Sequence, residues 1–394
     1  MYIFARIISI ISLTRTRKTR IIILALSKTQ SPAKEKLTSM AVTIKKIAQL
    51  AGVSTGTVDR ALHDRGRVDP QVAHRIKQIA QELNYQPNAV AKSLSIRSRN
   101  LKIAVILHIQ TSNAFFDDVI AGIIRGKEEI KDFGISVDLY KCADFDPMCQ
   151  LSLIEKALED GASAIAIVPI NDGRVKQRLD ALYTQGFPVL FLTNIIENAN
   201  YLSFVGCDYR LAGKITAGLL NLLRPQGGNL LLFSPSFQMF GHALRLQGLK
   251  AQLAAEYPRI HLQQVYELTG DDIQDYQLSC QALDTYPDTN LLVCPGAYSH
   301  GNLQAISDRG YLKCCSIVCY DYSEKIDALI RSRDIQATLT QCPQEQGYLA
   351  IKTLFDYLSA DKTPTFRNYY VRMQILLKEN LSEVERVRAE YHQV

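Results

Sequence analysis

From residue 101 onward the chain alternates between two textures. Short, nearly unbroken apolar runs recur: KIAVILH (102–108), ISVDLY (135–140), SAIAIVPI (163–170), FPVLFLT (187–193), NLLLFS (229–234), NLLVCP (290–295) and SIVCYD (316–321). Between them lie segments with apolar residues at helical spacing, near 115–132, 148–160, 174–185, 209–224, 241–256, 299–310, 323–332 and 344–359. Runs without polar alternation predict strands buried on both faces. Strands alternating with helices predict an α/β fold whose parallel sheets are covered on both sides. Roughly 290 residues are too many for one such sheet, so two lobes with a cleft between them are expected. In open parallel sheets, ligands bind beyond the carboxyl ends of the strands.

The preceding stretch has a different period. Ile44, Ile47 and Ala48 mark one short helix over 44–51, with Thr43 as its cap. Gly52 sits where a helix ends in a left-handed residue. Ser54 caps a second helix over 55–62, with Val58, Ala61 and Leu62 inward. Asp69 and Pro70 open a third, carrying Val72, Ile76, Ile79, Ala80 and Leu83. Two short helices joined around a glycine form a helix-turn-helix, whose second helix fits the major groove. Pro87 then stops the third helix, and Asn88 is placed to cap a further short one.

Charge separates the same regions. Residues 1–39 carry a net +7, residues 40–99 a net +6, and the remainder −7. A basic head on an acidic body suggests that the head alone meets a polyanion. The nine cysteines lack paired metal spacing and read as free thiols in a reducing cytoplasm. No apolar run reaches the roughly 18–20 residues of a membrane span. Residues 1–39 mix apolar pieces with Arg15, Arg17, Lys18 and Arg20 and lack a secretory-signal pattern. They read as a basic extension, disordered or untranslated, with translation starting at Met40. No GxxxxGK[ST] or HExxH occurs, so neither an enzyme nor a cofactor is expected.

Two stretches, "VTIKKIAQLAGVSTGTVDRAL" and "RVDPQVAHRIKQIAQELNYQPNAVAKSL", resemble the DNA-binding head and hinge of the lactose-repressor (LacI) family of bacterial transcription regulators. The body, with "SNAFFDDVIAGI", "VGCDYRLAGK", "HALRLQGLKAQL", "YDYSEK" and "TLTQCPQEQGYLA", resembles the type I periplasmic-binding-protein fold. The resemblance implies a helix-turn-helix domain at 40–87 and a hinge helix and linker at 88–100. It also implies an effector domain at 101–394, with lobe 1 at about 101–226 and 342–370 and lobe 2 at about 227–341 and 371–382. Base readout falls to Thr55, Gly56 and Arg60. Further DNA contacts fall to Thr43, Lys45, Ser54, Thr57, Arg67, Asn88 and Lys92, and Leu94 is the minor-groove wedge. Gly56 has no side chain to read a base, and Asp59 stands where the family has a small hydroxyl, there to accept from cytosine or to orient Arg60.

Effector roles fall to Asn113, Phe115, Phe116, Asp208, Arg245, Asp321 and Gln341. Tyr298, Ser299 or His300 replaces an amide contact usual after the strand LLVC. Carboxylates, an amide and an arginine beside aromatic faces suit a sugar. Asp208 has a second reading, as the cap of the helix that follows it. The implied protein is a cytoplasmic repressor that binds a pseudo-palindromic operator in double-stranded DNA as a homodimer, under control of a sugar-like effector, with no membrane partner. The alternative is a periplasmic-type solute-binding protein, which leaves the head unexplained. Some family members form tetramers through a C-terminal leucine heptad; here Leu381, Val384, Val387 and Tyr391 give a seam too short for that, which favours a dimer.

Overall fold

The computed structural model describes residues 42–62, 66, 68–83, 85, 94, 96–108, 114–142, 145–296, 298–360 and 362–392. The chain divides into two units, Met1–Pro87 and Asn88–Val394. Arg67, Asn88, Lys92 and Asn113 lie outside the described residues, as do residues 1–41 and most of the expected hinge helix.

The first unit is a three-helix cluster: α1 (Ile44–Ala51), α2 (Thr55–Leu62) and α3 (Pro70–Glu82). Each boundary has a local cause. Thr43 accepts from the Lys46 amide, and Gly52 closes α1 at φ 71°, its N–H donating to Ala48. The Ser54 hydroxyl accepts from the Thr57 amide at 3.1 Å. Asp69 accepts from the amides of Gln71 and Val72, and Pro70 opens α3 with its φ already helical. Ile47, Val58 and Ile76 are fully buried where the three helices meet. Each such side chain contributes about 1.5–3 kcal/mol by leaving water.

The second unit holds two six-stranded sheets. Lobe 1 contains β1 (Lys102–His108), β2 (Ser136–Cys142), β3 (Ala164–Ile167), β4 (Val189–Leu192), β5 (Ser203–Gly206) and, from far along the chain, β11 (Asn368–Tyr370). Their order is β11-β5-β4-β3-β1-β2, all parallel. Lobe 2 contains β6 (Gly228–Ser234), β7 (Ile260–Glu267), β8 (Leu291–Cys294), β9 (Ser316–Tyr320), β10 (Ala337–Thr340) and β12 (Gln374–Leu376). Their order, β12-β10-β9-β8-β6-β7, repeats that of lobe 1, except that β12 runs antiparallel. The chain therefore changes lobe three times: after β5, after β10 and after β11.

Helices cover both sheets. In lobe 1 these are α4 (Ala114–Ile130), α5 (Pro147–Glu159), α6 (Gly173–Thr184) and α12 (Pro343–Ala360). The α4 and α12 backbones meet at Gly122 and Gly347. A Cβ on Gly122 would lie 1.9 Å from the Gln344 carbonyl oxygen, and one on Gly347 2.0 Å from that of Val119. In lobe 2 the helices are α7 (Tyr209–Leu223), α8 (Phe240–Glu256), α9 (Asp272–Thr285), α10 (His300–Asp308) and α11 (Glu324–Arg331). Helix α7 corrects the expected lobe boundary near residue 226. Its Ala212, Ala217 and Leu220 pack with Leu230, Leu249 and Leu253 of lobe 2, so the crossing falls just after Gly206.

The residues leading into β1 are tied to lobe 1. Ile96 is buried in its core. Arg97 Nε donates to the Asp132 carbonyl at 3.0 Å, and Arg99 donates to that of Leu358 at 2.8 Å. Leu94, one helical turn before, is 61% exposed.

The last helix, α13 (Leu381–His392), joins the lobes. Leu381 and Val384 pack into lobe 2, and Glu385 pairs with Arg331 at 2.8 Å. Further on, Arg388 and His392 both reach the buried Asp118 of α4 at 3.0 Å. Arg125 lies over the Tyr391 ring at 4.5 Å. Three of the four candidate seam residues are thus engaged within the chain. Cys142 and Cys149, at the end of β2 and the start of α5, are joined as a disulfide with Cα atoms 6.3 Å apart. This corrects the reading of nine free thiols; the other seven are free.

Candidate functional site

Two places gather candidate residues. On the head, α2 turns Thr55, Gly56 and Arg60 outward while Val58 and Ala61 face inward. The Ser54 and Thr57 hydroxyls bond each other at 2.9 Å, which rigidifies the entrance to the helix. Lys45 is exposed on α1. A Cβ at Gly56 would meet only the Ser54 hydroxyl, at 3.8 Å, so this face leaves room for a close approach. Asp59 stands near Tyr85: burial, and then the Asp59 carboxylate, push the Tyr85 phenol up.

The second place is the cleft between the lobes. Residues from both lobes line one cavity, and six of them sit at or just past strand ends, as the rule for open sheets requires. His108 ends β1, Thr193 follows β4, Pro235 follows β6, Pro295 follows β8, Asp321 follows β9 and Gln341 follows β10. The second and third of the three crossings lie after Thr340 and Tyr370, so Gln341 occupies a connection between lobes.

Phe115, Phe116, Arg245, Tyr298, Asp321 and Gln341, six of the expected effector contacts, meet here. Asp208 does not. Its carboxylate turns back to accept from the Leu211 amide at 3.0 Å, capping α7, and it faces a separate cavity with Tyr201 and Arg367. The capping demand of α7 fixes its direction, so the ligand role is corrected to a cap. The cavity also takes His108, Phe145, Thr193, Tyr209, Met239 and His242, which sequence reasoning did not single out. The strand-end rule could have found His108 and Thr193, since both directly follow buried runs.

The aromatic wall is continuous. Phe115 and Phe116 meet edge to face at 5.3 Å, Phe116 meets the His108 ring at 5.5 Å, and Phe145 lies 4.5 Å from the same ring. Across from them, the Arg245 guanidinium lies over Tyr320 at 3.9 Å and Tyr209 at 5.2 Å. Asp321 accepts from Gln341 Nε2 at 3.1 Å. Burial raises its pKa, while Arg245 and the Gln341 bond oppose that shift. Burial holds His108 down at about 4. It holds His242 down at about 3, with help from Arg245. Both imidazoles are therefore neutral at pH 7.

Three buried polar atoms in this cavity find no hydrogen-bond partner among the described residues: Thr193 Oγ1, Arg245 Nε and Gln341 Oε1. Leaving such atoms unpaired costs about 1–3 kcal/mol each, so they mark a place built for a polar ligand. Backbone strain points the same way. Thr193 and Asp321 hold φ at 57° and 65°, and Cys342, next to Gln341, holds 48°. Left-handed non-glycine residues cost of order 1–3 kcal/mol and cluster at binding sites.

The lobes are closed on each other. The cavity measures about 50 Å³, well under the roughly 300 Å³ at which ligand pockets begin. Met239, at the head of α8, packs into the lobe 1 core, its Sδ 3.0 Å from His108 Nε2. The Asn171 amide donates to the Gln238 carbonyl, and the Gly241 amide to Asn194 Oδ1, each at 3.0 Å. A sugar ring enters only when the lobes part.

Residues 103–362 match the family model described as periplasmic binding protein domain. The chain belongs to that family. Residues 43–88 match the model of bacterial regulatory proteins of the lacI family, so a LacI-type head precedes a periplasmic-binding-protein body. A catabolite control protein A of Staphylococcus epidermidis is 23% identical over 233 residues, 59% of this chain and 67% of that one. A ribose operon repressor of Haemophilus influenzae is 41% identical over 81 residues, 21% of this chain and 24% of that one. The aligned stretches thus span about two thirds and a quarter of these relatives. A carbohydrate transporter solute binding protein of Agrobacterium radiobacter, solved with D-arabinose, superposes with a TM-score of 0.65 at 19% identity. It covers 73% of this chain and 97% of that one, and this likeness concerns the fold.

Proposed function

We propose that the protein is a transcription repressor that grips a pseudo-palindromic operator as a homodimer and is controlled by a sugar effector held between its lobes. The reading is of a cytoplasmic protein. One observation carries the effector half: three unpartnered buried polar atoms and an aromatic wall converge in a cleft whose closure depends on the relation of two lobes. The outward face of α2, with Thr55 and Arg60, supports the DNA half. The link between them is lobe 1, which holds Ile96, Arg97 and Arg99. A ligand that favours one lobe arrangement moves these anchors, and shifts DNA affinity by as much as it distinguishes the two states.

A solute-binding role accounts for the body alone and leaves the basic helix-turn-helix without a task. The deciding experiment measures affinity for operator-bearing genomic fragments at several salt concentrations, with and without neutral monosaccharides. Steep loss of binding with rising salt and a change in affinity with one sugar are expected. Salt-independent binding, or indifference to every sugar, would overturn the proposal.

A further inference from the structure

The polar groups of the cleft are lopsided. Arg245 is its strong donor, buried and placed over two tyrosine rings. Facing it are acceptors. Asp321 offers a carboxylate. Gln341 must present its carbonyl oxygen to the cavity, because its Nε2 is committed to Asp321 and only a donor can meet that carboxylate. His242 adds one more. Its Nδ1 lies 2.8 Å from the Ser236 carbonyl oxygen, which only accepts. The proton therefore sits on Nδ1, and Nε2 carries a lone pair. No described residue bonds that Nε2, and the ring lines the cavity from the first turn of α8. Burial, helped by the neighbouring Arg245 charge, keeps the ring neutral, so the lone pair persists at any physiological pH.

We infer that His242 is a specificity-determining acceptor of the effector site, and that the site takes an uncharged monosaccharide rather than its acid or phosphate ester. The inference rests on the sugar-effector reading and sharpens it. Three acceptors in a closed cavity need hydroxyl donors. A carboxylate or phosphate in place of a hydroxyl removes one donor these lone pairs can use, adds acceptors and sets like charge against Asp321. Hydroxyls satisfy all of them, and one ring face packs on Phe115, Phe116 or Phe145.

The test uses the full chain and paired probes: D-glucose with D-glucuronate and glucose 6-phosphate, D-galactose with D-galacturonate, D-ribose with ribose 5-phosphate, and D-xylose and L-arabinose alone. Calorimetry gives affinity, and thermal shift checks folding of each variant. The expected result is that a neutral sugar binds and that its charged counterpart binds at least about tenfold more weakly. His242→Leu should weaken the neutral sugar by about tenfold or more. His242→Gln, whose amide oxygen can stand in for Nε2, should recover most of that loss. A charged probe that binds as well as its neutral partner overturns the class assignment. Unchanged affinity in His242→Leu overturns the role of His242, while the sugar-controlled repressor stands if the same sugar still alters DNA affinity. Silence of every probe on the wild-type protein sinks both readings.

Discussion

The head and the cleft solve recognition in opposite ways. On the head, eight consecutive residues form a helix whose inner positions hold the fold and whose outer positions are exposed. The cleft draws on strand ends and helix starts spread from His108 to Gln341, buries its polar groups and holds Thr193 and Asp321 in strained backbone. The head can therefore lose a reading side chain without harm to its core. The cleft cannot, because its chemistry and its closure use the same residues.

The largest expected effect tests whether the head's core and surface are separable. Ile76→Ala removes a fully buried side chain from the small three-helix core and should cost about 2–5 kcal/mol. Hydrogen exchange should quicken over residues 43–83 while the thermal transition of the body stays in place. If the body melted with the head, the two units would not be independent.

For the cleft, Arg245→Ala removes the one strong donor. Affinity for the sugar that binds the wild type should drop by roughly a hundredfold, about 3 kcal/mol. The sugar-dependent change in DNA affinity should vanish with it. Retention of both by Arg245→Ala would move the effector site elsewhere.

Next is acid sensitivity, which two buried histidines give the cleft. His108 is held down at about 4 against a usual 6.5, with Met239, Phe116 and Phe145 around it. His242, beside Arg245, is held down at about 3. Below pH 6.5 the unfolded chain takes up protons that these folded sites refuse. Stability of the body is therefore complete above pH 6.5 and declines as the pH falls toward 4. The loss should be on the order of 2 kcal/mol per histidine between pH 6.5 and 5. Urea unfolding at the two pH values checks it, and His108→Gln should flatten part of the slope. An identical slope in that variant would remove His108 from the account.

The same contrast explains what was legible in the sequence. The head depends on contacts within a few residues, so Thr43, Ser54 and Asp69 announced the start of each helix and Gly52 the end of the first. The long buried runs of the body announced the central strands and hence the two lobes. The edge strand β2 showed as ISVDLY, but the edges β7, β11 and β12 and the four-residue interior strands β5 and β10 did not. β7 is mostly half-buried or exposed and carries His261, Gln263 and Gln264, and β11 is exposed along its whole length, so neither makes an apolar run. His242 and Met239 escaped because they lie on a loop and helix start whose direction is set by docking onto lobe 1, a contact more than a hundred residues distant. Asp208 was ambiguous for a related reason: a carboxylate before a helix reads equally well as cap and as ligand.

A smaller effect probes the outer face of the head. Arg60→Ala should leave binding to random DNA nearly intact and erase about 1–3 kcal/mol of discrimination at a single base pair. Competition binding against single-pair variants of the operator reads this directly. A uniform loss across all sequences would make Arg60 a phosphate contact instead.

The smallest expected change is the sharpest on the cleft's composition. Asp208→Asn keeps a side chain that caps helices as well as aspartate does, since Asn and Asp rank together at this position. With the carboxylate spent on the Leu211 amide and facing a separate cavity, the substitution should alter stability by no more than a few tenths of a kcal/mol. Sugar affinity should hold within about twofold, under 0.5 kcal/mol. A ligand-bonding carboxylate at the same place would lose about tenfold, because a buried charged acceptor has no equal substitute in an amide. The two outcomes differ by more than a calorimetric titration's error. A tenfold loss would return Asp208 to the site and imply that its bond to α7 breaks when the lobes open.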